Sequence, residues 1–272
     1  MYWGWGMADA GRKKGRLDDE NSANSLNLRP MKWKSIIRML GAKPYTHLFF
    51  DLDRTLWDFE SNAERTLSDL FFEFHLDQHF PSFEVFHATY RQHNERLWAE
   101  YRNGRIEKAM LRSLRFRLTL KSVKVKDDAL ASTLDARYIA DSPTKTALMP
   151  NAIEVMDYLQ QRGYRMSIIT NGFNEVQWVK LKACGLEKYF DTMLTSENVG
   201  FQKPDVRVFE HALQVARCKP SQVLMVGDDF GVDIVGARNA GIDQVFYNPI
   251  NAGKKFDPTH EIRDLAELKS IL

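Results

Sequence analysis

Residues 46–55 read Thr-His-Leu-Phe-Phe-Asp-Leu-Asp-Arg-Thr, and this stretch decides the fold. Its first seven residues, THLFFDL, form a continuous apolar run ending in acidic and turn-forming residues. A run that does not alternate suits a strand covered on both faces, so a buried parallel strand is expected. Its carboxyl end carries Asp51 and Asp53. Residues i and i+2 of a strand point the same way. Two carboxylates therefore converge where open α/β sheets bind ligands. Two anions so placed repel unless a cation or a proton is shared, which suggests a divalent hard metal with oxygen ligands. A helix cap or a solvated loop end would explain one such aspartate more readily than two.

Working outward, similar short runs recur at Arg165–Thr170 (RMSIIT), Gln222–Val226 (QVLMV) and Gln244–Tyr247 (QVFY), with a weaker one at Asp191–Thr195. Helical patterns lie between them. One starts at Pro150 and ends before Gly163; others span Asn174–Ala183, Asp205–Ala216 and Gly231–Asn239. Early proline and trailing glycine are the punctuation that helices prefer. Strands separated by helices imply βαβ units with right-handed crossovers, hence an α/β fold with a Rossmann-like parallel-sheet core.

One gap breaks the rhythm. From Asp58 to about Leu148 no strand pattern occurs, and four stretches rich in helix formers follow one another. About 90 residues far exceed what a crossover needs. We therefore expect a helical domain, residues 59–147, inserted into a core made of 46–58 and 148–272. Phe71, Phe72, Phe74, Trp98 and Tyr101 are expected to form the core of that bundle rather than a ligand box.

Composition fits this picture. The 272 residues are 44% hydrophobic and 27% charged, which suits a globular protein and argues against global disorder. No run of about 18 apolar residues exists, so no transmembrane helix is expected. Cys184 and Cys218 are too few for a disulfide framework, and a reducing cytoplasm is the simplest setting. Residues 1–45 hold nine of the 38 basic and four of the 36 acidic side chains, a net of +5 that leaves −3 on the rest. This leader is expected to be irregular. An over-long reading frame or a loose tail is the bland explanation. Docking of Trp3 and Trp5 on the body, or nucleic-acid attachment through Arg12, Lys13, Lys14 and Arg16, are the alternatives. Four charges without a folded motif weigh little for the last.

Three further segments carry chemistry. Ile169-Thr170-Asn171-Gly172-Phe173 supplies a hydroxyl, an amide and a glycine turn ahead of a helix, suitable for a phosphate. Lys203, within Gly200-Phe201-Gln202-Lys203-Pro204-Asp205, precedes the next helix and can reach the same anion. Gly227-Asp228-Asp229-Phe230-Gly231-Val232-Asp233 adds three acids at another strand end. Carboxylates, hydroxyl, amide and ammonium thus arrive in order, each at a strand or loop end.

The set DLDRT, ITNGF, QKPD and GDDFGVD resembles the four motifs of the haloacid dehalogenase superfamily, across residues 46–272. The resemblance implies that the helical insert is the family's cap. Asp53 resembles the acid of the phosphatase branch. LWDFE at 56–60, TNGF at 170–173, KACGLEKYFD and SENVG look like the pyrimidine 5'-nucleotidase group. By resemblance, Asp51 is the nucleophile and forms an aspartyl-phosphate. Asp53 protonates the leaving alkoxide and then activates water. Asp51, the Asp53 backbone carbonyl and Asp228 hold Mg²⁺, and Asp233 is an acid behind them. Thr170, Asn171 and Gly172 hold phosphate oxygens, and Lys203 offsets the charge of nucleophile and phosphate. Electrostatics agrees, because an anion attacking an anion needs cations to stabilise the spreading charge.

Two positions depart from the family pattern. Arg54 stands where a small or acidic residue is common, and is expected either to touch the cap or substrate or to point to solvent. Asp229 stands where Ser or Thr is common, and either alters metal affinity or faces the loop backbone. His75 and His79 have metal-like i,i+4 spacing but no third ligand pattern, so a solvated helix end is expected.

The expected function is a Mg²⁺-dependent phosphomonoesterase acting on a small phosphorylated metabolite, a (non-standard) pyrimidine nucleoside monophosphate first. Phosphoglycolate or a sugar phosphate is the alternative substrate, and a non-catalytic binding protein on the same fold the remote one. Neither nucleic acid nor membrane is expected as a partner. The sequence carries no signal of oligomeric state.

Overall fold

The computed structural model describes residues 45–272. The readings of residues 1–44 lie outside these described residues. Strand β1 (His47–Phe50) sits at the centre of a six-stranded sheet. Every residue of it is buried, as a strand covered on both faces requires. The others are β2 (Arg165–Thr170), β3 (Thr192–Thr195), β4 (Val223–Gly227), β5 (Asp243–Tyr247) and β6 (His260–Ile262). All pairings are parallel, in the order β3-β2-β1-β4-β5-β6. The chain runs outward from β1 through β2 to β3, then returns to β4 on the other side of β1. That reversal makes the gap between β1 and β4 a topological switch point, where such sheets bind ligands at their carboxyl ends.

Between β1 and β2 lie α1 (Phe59–Glu73), α2 (Phe83–Arg102), α3 (Lys108–Ser122), α4 (Asp128–Asp141) and α5 (Ala152–Gln161). Capping places their starts. Asp58 accepts from Ser61 N (3.0 Å) and Asp127 from Leu130 N (2.8 Å), each satisfying an amide that the first turn leaves unpaired. After β2 come α6 (Asn174–Ala183) and α7 (Val206–Ala216). A wide π-type turn, Phe230–Ile234, then leads into α8 (Val235–Asn239), where a continuous helix was expected. Asp229 accepts from Gly231 N (2.9 Å) and Val232 N (3.0 Å), which tightens this entry.

The sheet buries an apolar layer on each face. Leu48, Phe50 and Val226 meet Val155, Met156 and Leu159 of α5. On the opposite face Phe49, Ile169 and Met225 meet Val208, Phe209 and Ala212 of α7. Full burial of each such side chain stabilises the fold by about 1.5–3 kcal/mol. The helices α1–α4 have their own core of Phe71, Phe80, Phe86, Tyr90, Phe116 and Leu134. Phe71 belongs to it as expected, and Phe74 packs at its edge. Three expected members do not. Phe72 follows Phe71 onto the other side of α1 and is 64% exposed. Trp98 and Tyr101 lie instead in a small cluster with Phe173, at the join between the helices and the sheet. Neighbours in sequence are not neighbours in space on a helix, where successive residues diverge by about 100°.

Two connectors tie the helical insert to the sheet. Residues after β1 turn back so that Trp57 bridges Asp53 on one side and Leu148 on the other. Asn62 closes the second connector, donating to Ala147 O (2.8 Å) and accepting from Ala147 N (3.0 Å). The described residues belong to one compact unit. Among them no helix is long and apolar enough to cross a membrane. Cys184 and Cys218 are free thiols, and His75 and His79 are exposed.

Candidate active site

The ends of β1, β2 and β4 and the loop before α7 bring the predicted residues to one cavity of about 300 Å³. Asp51, Asp53, Thr170, Asn171, Gly172, Lys203, Asp228 and Asp233 all line it. A volume of that size suits a small metabolite.

Lys203 organises one side. Its ammonium donates to Asp51 Oδ1 (2.7 Å), Asp233 Oδ1 (2.6 Å) and Ile169 O (2.7 Å), so all three protons are used. The side chain is 1% exposed. Burial alone would favour the neutral amine, but Asp233 and Asp51 outweigh it and raise the pKa. Asp233 also accepts from Asp229 N (3.2 Å), so both its oxygens are engaged. It reaches this position because β4 ends in a residue without a side chain: a Cβ on Gly227 would meet Asp233 Oδ2 at 2.4 Å.

Asp51, Asp228 and Asp233 can place one oxygen each within 4.8 Å of one another. Burial, with the neighbouring carboxylates, pushes Asp51 up to about 7 despite Lys203. Burial and Asp51 push Asp228 up to about 8. Crowded hard oxygens that resist ionising together are what a divalent cation relieves, and the donor set fits Mg²⁺. Asp233 is already spent on Lys203 and Asp229, which leaves Asp51 and Asp228 as the available carboxylates. Thr55, fully buried, donates to Asp228 Oδ1 (3.2 Å) and orients it.

Asp53 faces another way. Lys180 donates to its Oδ1 (2.5 Å) and Gln177 to its Oδ2 (2.8 Å). Burial raises the Asp53 pKa, but Lys180, Gln177 and Arg54 together hold it below the usual carboxylate range. Lys180 is 4% exposed and lies over the Trp57 ring at 4.1 Å. Gln177 also donates to Thr170 Oγ1 (2.7 Å), which accepts from Gly172 N (3.0 Å) as well. A Cβ at Gly172 would sit 2.0 Å from Gln177 Nε2, so only glycine lets Gln177 through. Neither Lys180 nor Gln177 was expected from the sequence. Their i,i+3 spacing on α6, immediately after TNGF, was the available signal.

Asn171 is placed differently from expectation. Its amide donates to Lys203 O (2.9 Å) and its carbonyl accepts from Lys203 N (2.8 Å). The side chain is a strut between two loops, with both its amide nitrogen and its carbonyl engaged. Arg54, with φ of 64°, pairs with Glu60 (2.7 Å) and covers Phe59 at 4.4 Å, so it touches the start of α1. Asp229 faces the loop backbone, as its contacts to Gly231 and Val232 show.

The roof of the cavity comes from the insert: Asn94 and Trp98 of α2, Arg112 and Arg115 of α3, Tyr138 of α4. Arg115 pairs with Asp135 (2.7 Å) and Arg112 with Glu175 (2.5 Å). Lys108 bridges Glu175 (2.9 Å) and Glu197 (2.7 Å), which fastens α3 to the sheet side.

With this arrangement known, a family model for haloacid dehalogenase-like hydrolases matches residues 45–241. The chain belongs to that family. This hydrolase is 31% identical over 233 residues to the putative HAD-hydrolase YfnB of Bacillus subtilis, covering 85% of this chain and 96% of YfnB. A YfnB crystal structure, described as bound to magnesium and revealing interdomain movement, superposes with a TM-score of 0.74 over 84% of this chain and 99% of that one. The pyrimidine 5'-nucleotidase YjjG of Escherichia coli is 31% identical over 228 residues, 83% of this chain and 96% of YjjG. A glyceraldehyde 3-phosphate phosphatase of Methanothermobacter thermautotrophicus is 38% identical over 130 residues, 45% of this chain and 58% of its own. The chain is thus an enzyme of a hydrolase family, and its relatives include phosphatases and a nucleotidase.

Proposed function

We propose that this hydrolase is a Mg²⁺-dependent phosphomonoesterase acting through an aspartyl-phosphate, with a pyrimidine nucleoside monophosphate as substrate. The observation that carries the reading is Lys203, which holds Asp51 at the switch point with every proton engaged. A nucleophile so fixed approaches phosphorus in one direction. Asp51 and Asp228, with the Asp53 carbonyl, would hold Mg²⁺, which when bound neutralises charge on the phosphoryl oxygens.

Asp51 attacks phosphorus as the P–O bond to the leaving group breaks. Asp53 gives the leaving alkoxide its proton, then takes one from the water that splits the aspartyl-phosphate and regenerates Asp51. In the free enzyme Asp53 is held ionised by Lys180 and Gln177, the form needed for the second step. An arriving phosphate dianion raises its pKa and supplies the condition for the first. Thr170, whose hydroxyl accepts from Gln177 and Gly172 and keeps its own proton to donate, orients the phosphate at the Asn171–Gly172 turn. The insert serves as the cap, and its roof excludes water.

The relatives divide on substrate. The YjjG match takes in 83% of this chain and cannot be laid out without the helical insert, whereas the glyceraldehyde 3-phosphate phosphatase match takes in 45% of it. Substrate choice resides in the roof, so the longer match weighs more. The free cysteines fit a cytoplasmic setting.

Phosphate release from dUMP, dTMP, UMP, phosphoglycolate and hexose phosphates, with and without Mg²⁺, tests the reading. A pyrimidine preference that depends on Mg²⁺ is expected. A flat profile defeats the nucleotidase assignment, and no release from any member defeats the phosphatase. Asp51→Asn should lower turnover by about 10⁴-fold or more; retained turnover removes Asp51 as nucleophile.

A further inference from the structure

The roof contains a polar side chain that the fold leaves unsatisfied. Asn94 is 8% exposed, and its Oδ1 has no hydrogen-bond partner among the described residues. A buried amide oxygen left alone costs roughly 1–3 kcal/mol, so it is retained at the expense of stability. Asn94 lines the cavity. Trp98, four residues on and therefore on the same face of α2, lines it too. The indole is held by Phe173 (5.0 Å between centroids, 24° between planes) and by Tyr101 (5.7 Å, 83°). A second unsatisfied atom belongs to a lining residue of α3: Arg112 Nε, a donor, is also buried without a partner.

Electrostatics narrows what these groups can receive. Arg112 is neutralised by Glu175 and Arg115 by Asp135. Arg102 also lines the cavity but is exposed, so only the buried part of the roof offers no cation without a carboxylate beside it, which a second phosphate or a carboxylate on the leaving group would need. It offers one acceptor, one donor and a fixed aromatic ring. That set is complementary to a neutral, planar group carrying an N–H beside a carbonyl.

We propose that Asn94, Trp98 and Arg112 form the leaving-group subsite, in which the Asn94 carbonyl accepts the N3–H of a uracil-type base, Arg112 Nε donates to a base carbonyl, and Trp98 packs the ring. The inference rests on the nucleotidase reading and adds the residues that select the base. A site built to hydrogen-bond a ligand N–H rejects the analogue lacking it, because its own polar group is then stranded.

The test compares kcat/KM of the full chain with Mg²⁺ on dUMP, on N3-methyl-dUMP and on p-nitrophenyl phosphate. The unmodified enzyme should favour dUMP over its N3-methyl analogue by about tenfold or more. Asn94→Leu should bring that ratio close to one and lower the dUMP to p-nitrophenyl phosphate ratio by a similar factor, chiefly through KM. Its thermal midpoint should be unchanged or higher, since the orphaned polar group is gone. Trp98→Leu should weaken dUMP and N3-methyl-dUMP alike and keep the ratio between them. An Asn94→Leu enzyme that still discriminates between them, or that loses all three substrates equally, overturns the subsite while leaving the nucleotidase reading intact. An unmodified enzyme that turns over p-nitrophenyl phosphate and hexose phosphates but not dUMP overturns the nucleotidase reading, and the base assignment with it.

Discussion

Floor and roof of the same cavity treat charge in opposite ways. On the floor Asp51, Asp53, Asp228 and Asp233 meet two buried ammonium groups, Lys203 and Lys180. The imbalance is negative, and it concentrates where Asp51 and Asp228 are pushed to about 7 and about 8. In the roof Arg115 pairs with Asp135 and Arg112 with Glu175, a carboxylate it shares with Lys108, and the unsatisfied atoms are an amide oxygen and an Nε–H. The difference teaches a division of labour. A floor with surplus charge is suited to a cation and a phosphoryl group. A neutral roof with spare hydrogen bonds is suited to choosing what that phosphoryl group is attached to. Within the floor, Lys203 fixes Asp51 and Lys180 fixes Asp53.

The strongest way to break the comparison is to remove the floor's central cation. Lys203→Met should destabilise the fold by about 3–5 kcal/mol, because Asp51 and Asp233 lose the buried ammonium that pairs with both. Turnover should also vanish. A denaturation midpoint near that of the unmodified protein would show that the floor is not held as described.

Lys180→Met separates the two lysines. It should slow turnover by about 10²–10³-fold through misplacement of Asp53. It should also move the acidic limb of the kcat/KM profile to higher pH, since the main influence lowering the Asp53 pKa is gone. Lys180→Arg should restore part of both. An unmoved limb with reduced kcat would assign Lys180 a purely structural part.

The floor's surplus charge has a stability signature. A carboxyl whose folded pKa is raised binds more protons folded than unfolded, so stability falls as pH rises. For Asp51 and Asp228 the loss begins above their ordinary value of 3.8 and is complete beyond about 7 and about 8. Thermal midpoints measured with a chelator should therefore decline across that window. Added Mg²⁺ should flatten the decline, and identical curves with and without it would argue against a cation site here.

The smallest effect is expected at the rim. Lys108 and Glu175 are partly exposed, at 26% and 48% for their side chains, so solvent screens their pair. Lys108→Met should cost no more than about 1 kcal/mol in a denaturation midpoint. A larger loss would mean that the fastening of α3 to the sheet matters more than screening allows.

Much of the floor is legible because it follows single elements. The apolar run that carries Asp51, the RMSIIT run ending at Thr170 and the QVLMV run ending before Asp228 each place a functional group at the end of a strand or one step beyond it. Parallel strands deliver their carboxyl ends to the same edge, so order along the chain becomes proximity in space. Strand β6 escapes this logic, because His260–Ile262 is only three residues long and has no extended apolar run. Lys180 and Gln177 escape it for a different reason. A lysine and a glutamine on a helix read as a solvated face, and only the docking of α6 against Trp57 and Asp53 buries them.

The sequence by itself determined the α/β fold, the helical insertion after β1 and the residues at the strand ends, because local periodicity and strand polarity suffice for those. Tertiary structure alone decided that Asp53 pairs with Lys180, that Asn171 braces Lys203, that Phe72 faces solvent, and that Asn94 and Trp98 look into the cavity. Each of these depends on which face of one helix or loop meets another. That contact is fixed by packing across distances of 30 to more than 120 residues in the chain, and no local pattern encodes it.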